Sequence, residues 1–211
     1  MGSEQAHEDV PRLIGAVEEA EIWAFYKPSG WATHPAQGSP LDLVTWLEES
    51  DEYSSELRPM HRLDKGTSGI LLCSPDAEVR GAIGRYFAAN EVSKTYRALV
   101  FGVTHKSGTI KRKLTDARRK KKLAAVTKYV RDETFGCASL VTAHPLTGRK
   151  HQIRRHFQGI GHAVVGDRLY PPRRFTKIPG FPGRLWLHAE RLELPGEVVF
   201  SCELPDALAK H

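Results

Sequence analysis

Short apolar runs separated by turn residues recur along this chain of 211 residues, and few of them carry a helical period. Residues 22–26 are apolar and stop before Pro28, which predicts a strand. Residues 70–73 (Ile-Leu-Leu-Cys) predict a strand buried on both faces, and 92–101, with Tyr96 inside it, predicts another. Further strands are expected at 137–143 and as a pair at 110–114 and 124–130, with the basic run 118–122 at its tip. A closing hairpin, 185–194 with 198–202, turns at Pro195-Gly196. Helical spacing is confined to three places. Leu43, Val44, Trp46 and Leu47 mark a short amphipathic helix. Val79, Ile83 and Phe87 mark a second, behind Asp76 as its cap. Thr147 is placed to cap a third, running to about Gly159. Residues 31–40 are turn-rich and 50–60 form a polar loop. Many strands with scattered helices, and no regular βαβα alternation, predict an α+β fold: a mixed, largely antiparallel sheet flanked by helices. Residues 1–20 are acidic and weakly patterned, and read as a tail, frayed or loosely helical; 21–211 read as one domain.

Composition changes this picture little. A hydrophobic content of 40% and a charged content of 27% are ordinary for a globular protein. No run approaches the roughly 18 apolar residues of a membrane span, and the polar start lacks the apolar core of a secretory signal. Cys73, Cys137 and Cys202 are far apart and odd in number, which suggests buried, reduced thiols and a cytoplasmic setting. His151 and His156 are not at the i, i+4 spacing of a helical metal pair, so no metal is expected. Neither a phosphate-binding glycine loop nor a full dinucleotide fingerprint occurs, so no cofactor is expected.

Charge changes it more. The net charge of +6 conceals a division: residues 1–60 carry 3 basic and 12 acidic side chains, and 61–211 carry 28 and 13. The window 111–131 alone holds ten Lys or Arg against Asp116. Charge runs are usually solvated faces, but one of this density suits a polyanion.

The candidate chemistry begins at His61-Arg62-Leu63-Asp64-Lys65-Gly66-Thr67-Ser68-Gly69. A carboxylate beside an arginine stands before a turn of small residues that feeds a buried strand. Asp64, with an ordinary pKa of about 3.9, is ionised at neutral pH and can act as a covalent nucleophile at a sugar carbon; alone, it can equally be a turn residue. A hydrolytic glycosidase would need a second carboxylate, and the blocks around Asp64, Tyr96 and Arg154 hold no such group. Two more blocks follow, Lys94-Thr95-Tyr96-Arg97-Ala98 and Thr147-Gly148-Arg149-Lys150-His151-Gln152-Ile153-Arg154-Arg155-His156, the latter trailed by Gly166-Asp167. Lys27-Pro28-Ser29-Gly30 precedes them and Leu187-His188-Ala189 closes the series.

These five blocks, in this order, resemble the motifs of the RluA-like pseudouridine synthases across roughly residues 22–205. The resemblance implies isomerisation of uridine in structured RNA, tRNA or rRNA, after the base is flipped out. It implies Asp64 as nucleophile, Tyr96 as an active-site tyrosine and Arg154 as the arginine that pairs with the aspartate. It further implies that Arg62 takes over the space left by the extruded nucleotide. Arg149, Lys150 and Arg155 then suit RNA phosphates, near a helix N-terminus. Leu187 is either a base contact or plain core, His61 reads as structural, and Asp167 as a turn residue. Trp31, His34 and the doubled arginine of His-Gln-Ile-Arg-Arg-His resemble the TruC-like members. With the first block so early, no extra N-terminal RNA-binding domain is expected, and the protein is expected to work as a monomer. Two rivals stand beside this reading: a non-catalytic RNA-binding protein or RNA chaperone on the same fold, and a uracil-releasing glycosidic hydrolase.

Overall fold

A computed structural model describes residues 10–116, 120–174 and 176–209. The described chain forms two compact units, one of residues 10–92 with 189–206, the other of 93–188 with 207–209.

In the first unit the apolar run expected at 70–73 becomes β4 (Ser68–Ser74), in which every residue is buried. It pairs antiparallel with β2 (Ile22–Lys27), Phe25 facing Leu71 and Tyr26 facing Ile70. Alternation along these two strands feeds two packed layers. One face sets Ile22, Ala24, Tyr26, Ile70 and Leu72 against Ile83 of helix α2 (Ala77–Ala89) and against Leu192 and Phe200. Those last two lie on the closing hairpin of β11 (Leu187–Leu194) and β12 (Val198–Ser201). The other face sends Phe25 edge-on against Trp46 and Tyr53, with ring centroids 6.3 and 5.1 Å apart. Trp46 rides on helix α1 (Leu43–Glu48), capped by Asp42, whose carboxylate accepts from Thr45 N at 2.9 Å. Asp76 caps α2 as expected, accepting from Glu78 N and Val79 N at 2.6 and 2.8 Å. Each large apolar side chain buried this way contributes about 1.5–3 kcal/mol. The two-residue strand β3 (Arg58–Pro59) pairs with β4.

The segment read as a tail is different. Residues 12–17 form a strand, β1 (Arg12–Val17), paired antiparallel with β2 and followed by a 3₁₀ turn at Glu18–Ala20. Residues 1–9 of that reading lie outside the described residues.

In the second unit β5 (Ser93–Phe101), β10 (Ala138–Pro145), β9 (Val126–Phe135) and β6 (Ser107–Lys111) stand side by side in that order, antiparallel throughout. One face carries Ala98, Val100, Ile110, Tyr129, Val141 and Ala143, and receives Ile153 and Phe157 from helix α3 (Gln152–Gly159). The expected pairing of 110–114 with 124–130 is split in two. β6 pairs with β9, while β7 (Leu114–Asp116) and β8 (Lys121–Leu123) make a small hairpin of their own. Lys121 and Lys122 of the basic run lie on β8; Arg118 and Arg119 fall outside the described residues. Among the described residues no helix is long and apolar enough to cross a membrane. All three cysteines are free thiols, with Cys73 and Cys202 buried and Cys137 only half-buried.

Candidate active site

Asp64 is half-buried in a turn closed by Thr67 N donating to its carbonyl at 2.9 Å. The turn is held from beneath by the Lys27-Pro28-Ser29-Gly30 block at the end of β2. Gly30 N donates to Lys65 O at 2.8 Å and Ser29 Oγ to Gly66 O at 2.8 Å. Lys27 is 0% exposed. Its ammonium donates to the carbonyls of Pro28 and Trp31, both at 2.8 Å, and of Lys65 at 3.4 Å. A buried ammonium is tolerable only when carbonyl dipoles replace its water, and here those dipoles belong to the two loops that meet under Asp64. Thr33 adds a two-way bond to the residue before Asp64: its hydroxyl lies 3.2 Å from both Leu63 O and Leu63 N. On the far side of the turn, Gly69 has φ +120°. A Cβ there would stand 2.6 Å from Ala189 N and closer still to Ala189 O, so only glycine lets β4 begin at this point. His61 is structural, as expected: its Nε2 accepts from Leu72 N at 3.0 Å and its ring stacks on Phe87 at 4.7 Å. Arg62 is exposed.

In the second unit the block from Thr147 to His156 covers the turn after β10 and the first part of α3. Thr147 does not cap the helix, which starts five residues later, after His151 in a left-handed conformation with φ 54°. The Thr147 hydroxyl instead donates to Gln152 Oε1 at 2.6 Å and accepts from Val126 N at 3.1 Å. Gln152 Oε1 also accepts from Arg149 N at 3.1 Å, and its Nε2 donates to Val126 O and Thr127 Oγ1 at 2.9 and 3.0 Å. The helix has no side-chain cap; the Gln152 amide instead closes the turn that leads into it and ties the helix to β9. One turn on, His156 Nδ1 shares a 2.9 Å bond with Thr127 Oγ1, and Nε2 lies 3.3 Å from Arg112 O. Burial, with the nearby charges of Arg112 and Arg155, lowers the His156 pKa despite the opposing Arg112 carbonyl.

Arg154 is only 9% exposed, on the same helix that buries Ile153 and Phe157. It forms a two-point ion pair with Asp167: Nε donates to Oδ2 at 2.7 Å and Nη2 to Oδ1 at 2.8 Å. Asp167 Oδ1 also accepts from Leu169 N and Tyr170 N, each at 2.9 Å. Burial alone would raise the Asp167 pKa. The bonds from Arg154 and from the two backbone N–H groups, with the arginine charge, outweigh it and leave the pKa lowered. Gly166, at φ +80°, lets the chain pass against Arg184, whose carbonyl a Cβ would strike.

Arg62 and Asp64 belong to the first unit; Tyr96, Arg149, Lys150, Arg154, Arg155 and Leu187 belong to the second. Tyr96 is half-buried at the rim of the second unit's core, opposite Ala143 in the β5–β10 register. Leu187 is 3% exposed and packs in that core. Lys150 is exposed. Arg149 Nε donates to Ala124 O at 3.1 Å and Arg155 Nη1 to Thr115 O at 3.1 Å, which fastens the β7–β8 hairpin and its flank to α3. Lys27, Gln152 and Asp167 were underestimated from sequence. A lysine at the end of a fully apolar strand was the available signal for the first.

The family model described as RNA pseudouridylate synthase matches residues 21–159. The chain belongs to the RNA pseudouridylate synthase family. Among curated members, the dual-specificity RNA pseudouridine synthase RluA of Vibrio parahaemolyticus is 31% identical over 190 residues, covering 83% of this chain and 74% of that protein. The tRNA pseudouridine synthase C of Pectobacterium carotovorum is 31% identical over 204 residues, covering 84% of this chain and 54% of that protein. This chain therefore spans about half the length of that relative. Among solved structures, human RNA pseudouridylate synthase domain containing 4 superposes with a TM-score of 0.76 at 22% identity, over 93% of this chain and 90% of that one. The α+β fold expected from the pattern of strands and the RluA-like membership expected from the five blocks are both met.

Proposed function

We propose that this RluA-like protein isomerises uridine to pseudouridine in structured RNA, tRNA or rRNA, with Asp64 as nucleophile. The observation that carries the reading is the Asp64 turn, held by Lys27, Ser29, Gly30 and Thr33. A turn residue needs no such foundation, whereas a nucleophile must be held within about half an ångström of its target. Routes through C1′, C6 or a glycal share one outcome. The N1–C1′ bond breaks, a C5–C1′ bond forms, the C5 hydrogen leaves to solvent as a proton, and N1 takes a proton up. Tyr96 serves the base and Arg154 serves the carboxylate. Residues 21–211 act together as the catalytic domain, working as a monomer in the cytoplasm.

RNA is held by its phosphates. Arg62 and Lys150 are exposed, and Lys120, Lys121 and Lys122 lie on or beside β8, also exposed. Flipping a base costs a few kcal/mol of unstacking, and charge-assisted contacts to the backbone offset it. With its guanidinium on Thr115 O, Arg155 supports the hairpin more than it reaches RNA.

The test is release of tritium from RNA labelled at uridine C5, with bulk tRNA and rRNA in parallel. Wild type should release tritium from one pool without free uracil, and Asp64→Ala and Asp64→Asn should release none. Free uracil would make the protein a hydrolase. No release by wild type, with tight RNA binding unaffected by Asp64→Ala, would make it a binding protein.

A further inference from the structure

We propose that Asp167 and Tyr170, on the loop that follows α3, are positioning residues that hold Arg154 as an oriented, charge-compensated donor; this rests on the assignment of Arg154 to the reaction above. The loop returns to the helix and grips the arginine from two directions. Asp167 takes one edge of the guanidinium, Nε and Nη2, at 2.7 and 2.8 Å. Tyr170 takes a face, with the guanidinium carbon 5.2 Å from its ring centroid. Tyr170 is fixed in turn: its backbone N–H donates to Asp167 Oδ1 at 2.9 Å, and its hydroxyl shares a 3.0 Å hydrogen bond with His151 Nδ1. His151 is the left-handed residue from which α3 starts. Arginine, helix start, tyrosine and aspartate thus close a ring in which each member limits the rotamers of the next.

This arrangement does two things. A guanidinium carries five N–H donors in one plane. Asp167 engages two of them, and with Tyr170 fixes the plane in which the other three lie. The carboxylate also offsets the arginine's charge, because its lowered pKa keeps it ionised at neutral pH. A guanidinium so compensated directs hydrogen bonds without drawing a second carboxylate into a full-strength ion pair. A nucleophilic carboxylate served by it is oriented and still reactive.

Asp167→Asn, Asp167→Glu and Tyr170→Phe are compared with wild type on the RNA pool that wild type modifies, with rates normalised to folded protein by thermal melts. Asp167→Asn should lower kcat about 100-fold, the usual result of misplacing a catalytic group by about an ångström, with KM changed less than about two-fold. Asp167→Glu should recover part of the loss. Tyr170→Phe, which keeps the ring and loses the tie to His151, should lower kcat about five-fold, a smaller fraction of the same positioning effect. A second readout needs no turnover. The Nε–H resonance of Arg154 in ¹⁵N-arginine spectra should be sharp and slow to exchange in wild type, and lost in Asp167→Asn. Wild-type kcat per folded Asp167→Asn molecule, or a surviving resonance in it, overturns the proposal. Should Asp167→Asn not fold, wild-type kcat in both Asp167→Glu and Tyr170→Phe overturns it. A wild type without turnover on any RNA sinks the parent reading instead, and the resonance still decides whether Asp167 holds Arg154.

Discussion

Two buried residues make the second unit sensitive to acid, in separate ranges. His156 is fully buried and its folded pKa lies below the ordinary 6.5. Protons therefore bind the unfolded chain more readily, so its contribution is complete above about pH 6.5 and shrinks as pH falls toward the folded value. Asp167 works in the same direction lower down. Its folded pKa is depressed below 3.8, so its stabilisation is complete above that value and is lost as pH falls through the folded one. Melting temperature should be level near neutrality, decline once pH drops below about 6.5, and decline again below about 4. His156→Asn should melt lower at neutral pH and show a smaller first decline, the remainder belonging to His34, whose pKa is also lowered, by burial and the Arg62 charge. An unchanged first decline in that variant would assign the effect to another group. Asp167 also shows what a sequence can tell about one residue. The turn reading was right, since Oδ1 caps Leu169 N and Tyr170 N. The pair with Arg154, thirteen residues upstream, depends on a loop returning to a helix, and no local pattern records that.

Elements were legible where burial is symmetric. β4 is buried on both faces, so its unbroken apolar run announced it, and Asp76 before Val79 announced α2. β1 was illegible because none of its six residues is fully buried and its register with β2 shifts between Leu13 and Gly15. Thr147 misled for a different reason. Threonine is a good cap by type, but α3 starts only after the left-handed His151, and a glutamine amide satisfies the turn. The start of β4 gives the strongest single-residue prediction at this scale. Gly69→Ala combines an unfavourable φ with a backbone collision at Ala189. It should cost at least about 2–3 kcal/mol, or roughly 5–10 °C in melting temperature for a chain of this size. A melt within about 2 °C of wild type, no more than one kcal/mol gives at this size, would mean that the strand can shift to accept a Cβ.

At the scale of the molecule, the charge division seen in the sequence was informative about a partner and silent about attachment. The structure supplies the attachment, since Arg155 on Thr115 O and His156 by Arg112 O tie the basic hairpin to the helix that bears Arg154. Replacing Lys120, Lys121 and Lys122 with Gln should therefore act on binding more than on turnover. The log–log dependence of RNA affinity on salt should become shallower by about 2–3, near 0.7–0.9 for each phosphate no longer neutralised. KM should rise while kcat stays within about two-fold of wild type, as for loss of uniform binding. An unchanged salt slope would show that these lysines face only solvent.

The ammonium of Lys27, sealed under the Asp64 turn, also makes this lysine a built-in gauge. An amine-acylating reagent reaches a lysine only when the nitrogen is uncovered, so the exposed lysines should be tagged quickly and Lys27 last. Its tagging rate, followed by mass spectrometry, then counts the openings of the floor beneath Asp64. Openings far rarer than turnover would show a floor that stays shut through the catalytic cycle, while openings that quicken when RNA is added would mean that the substrate itself pries the two loops apart.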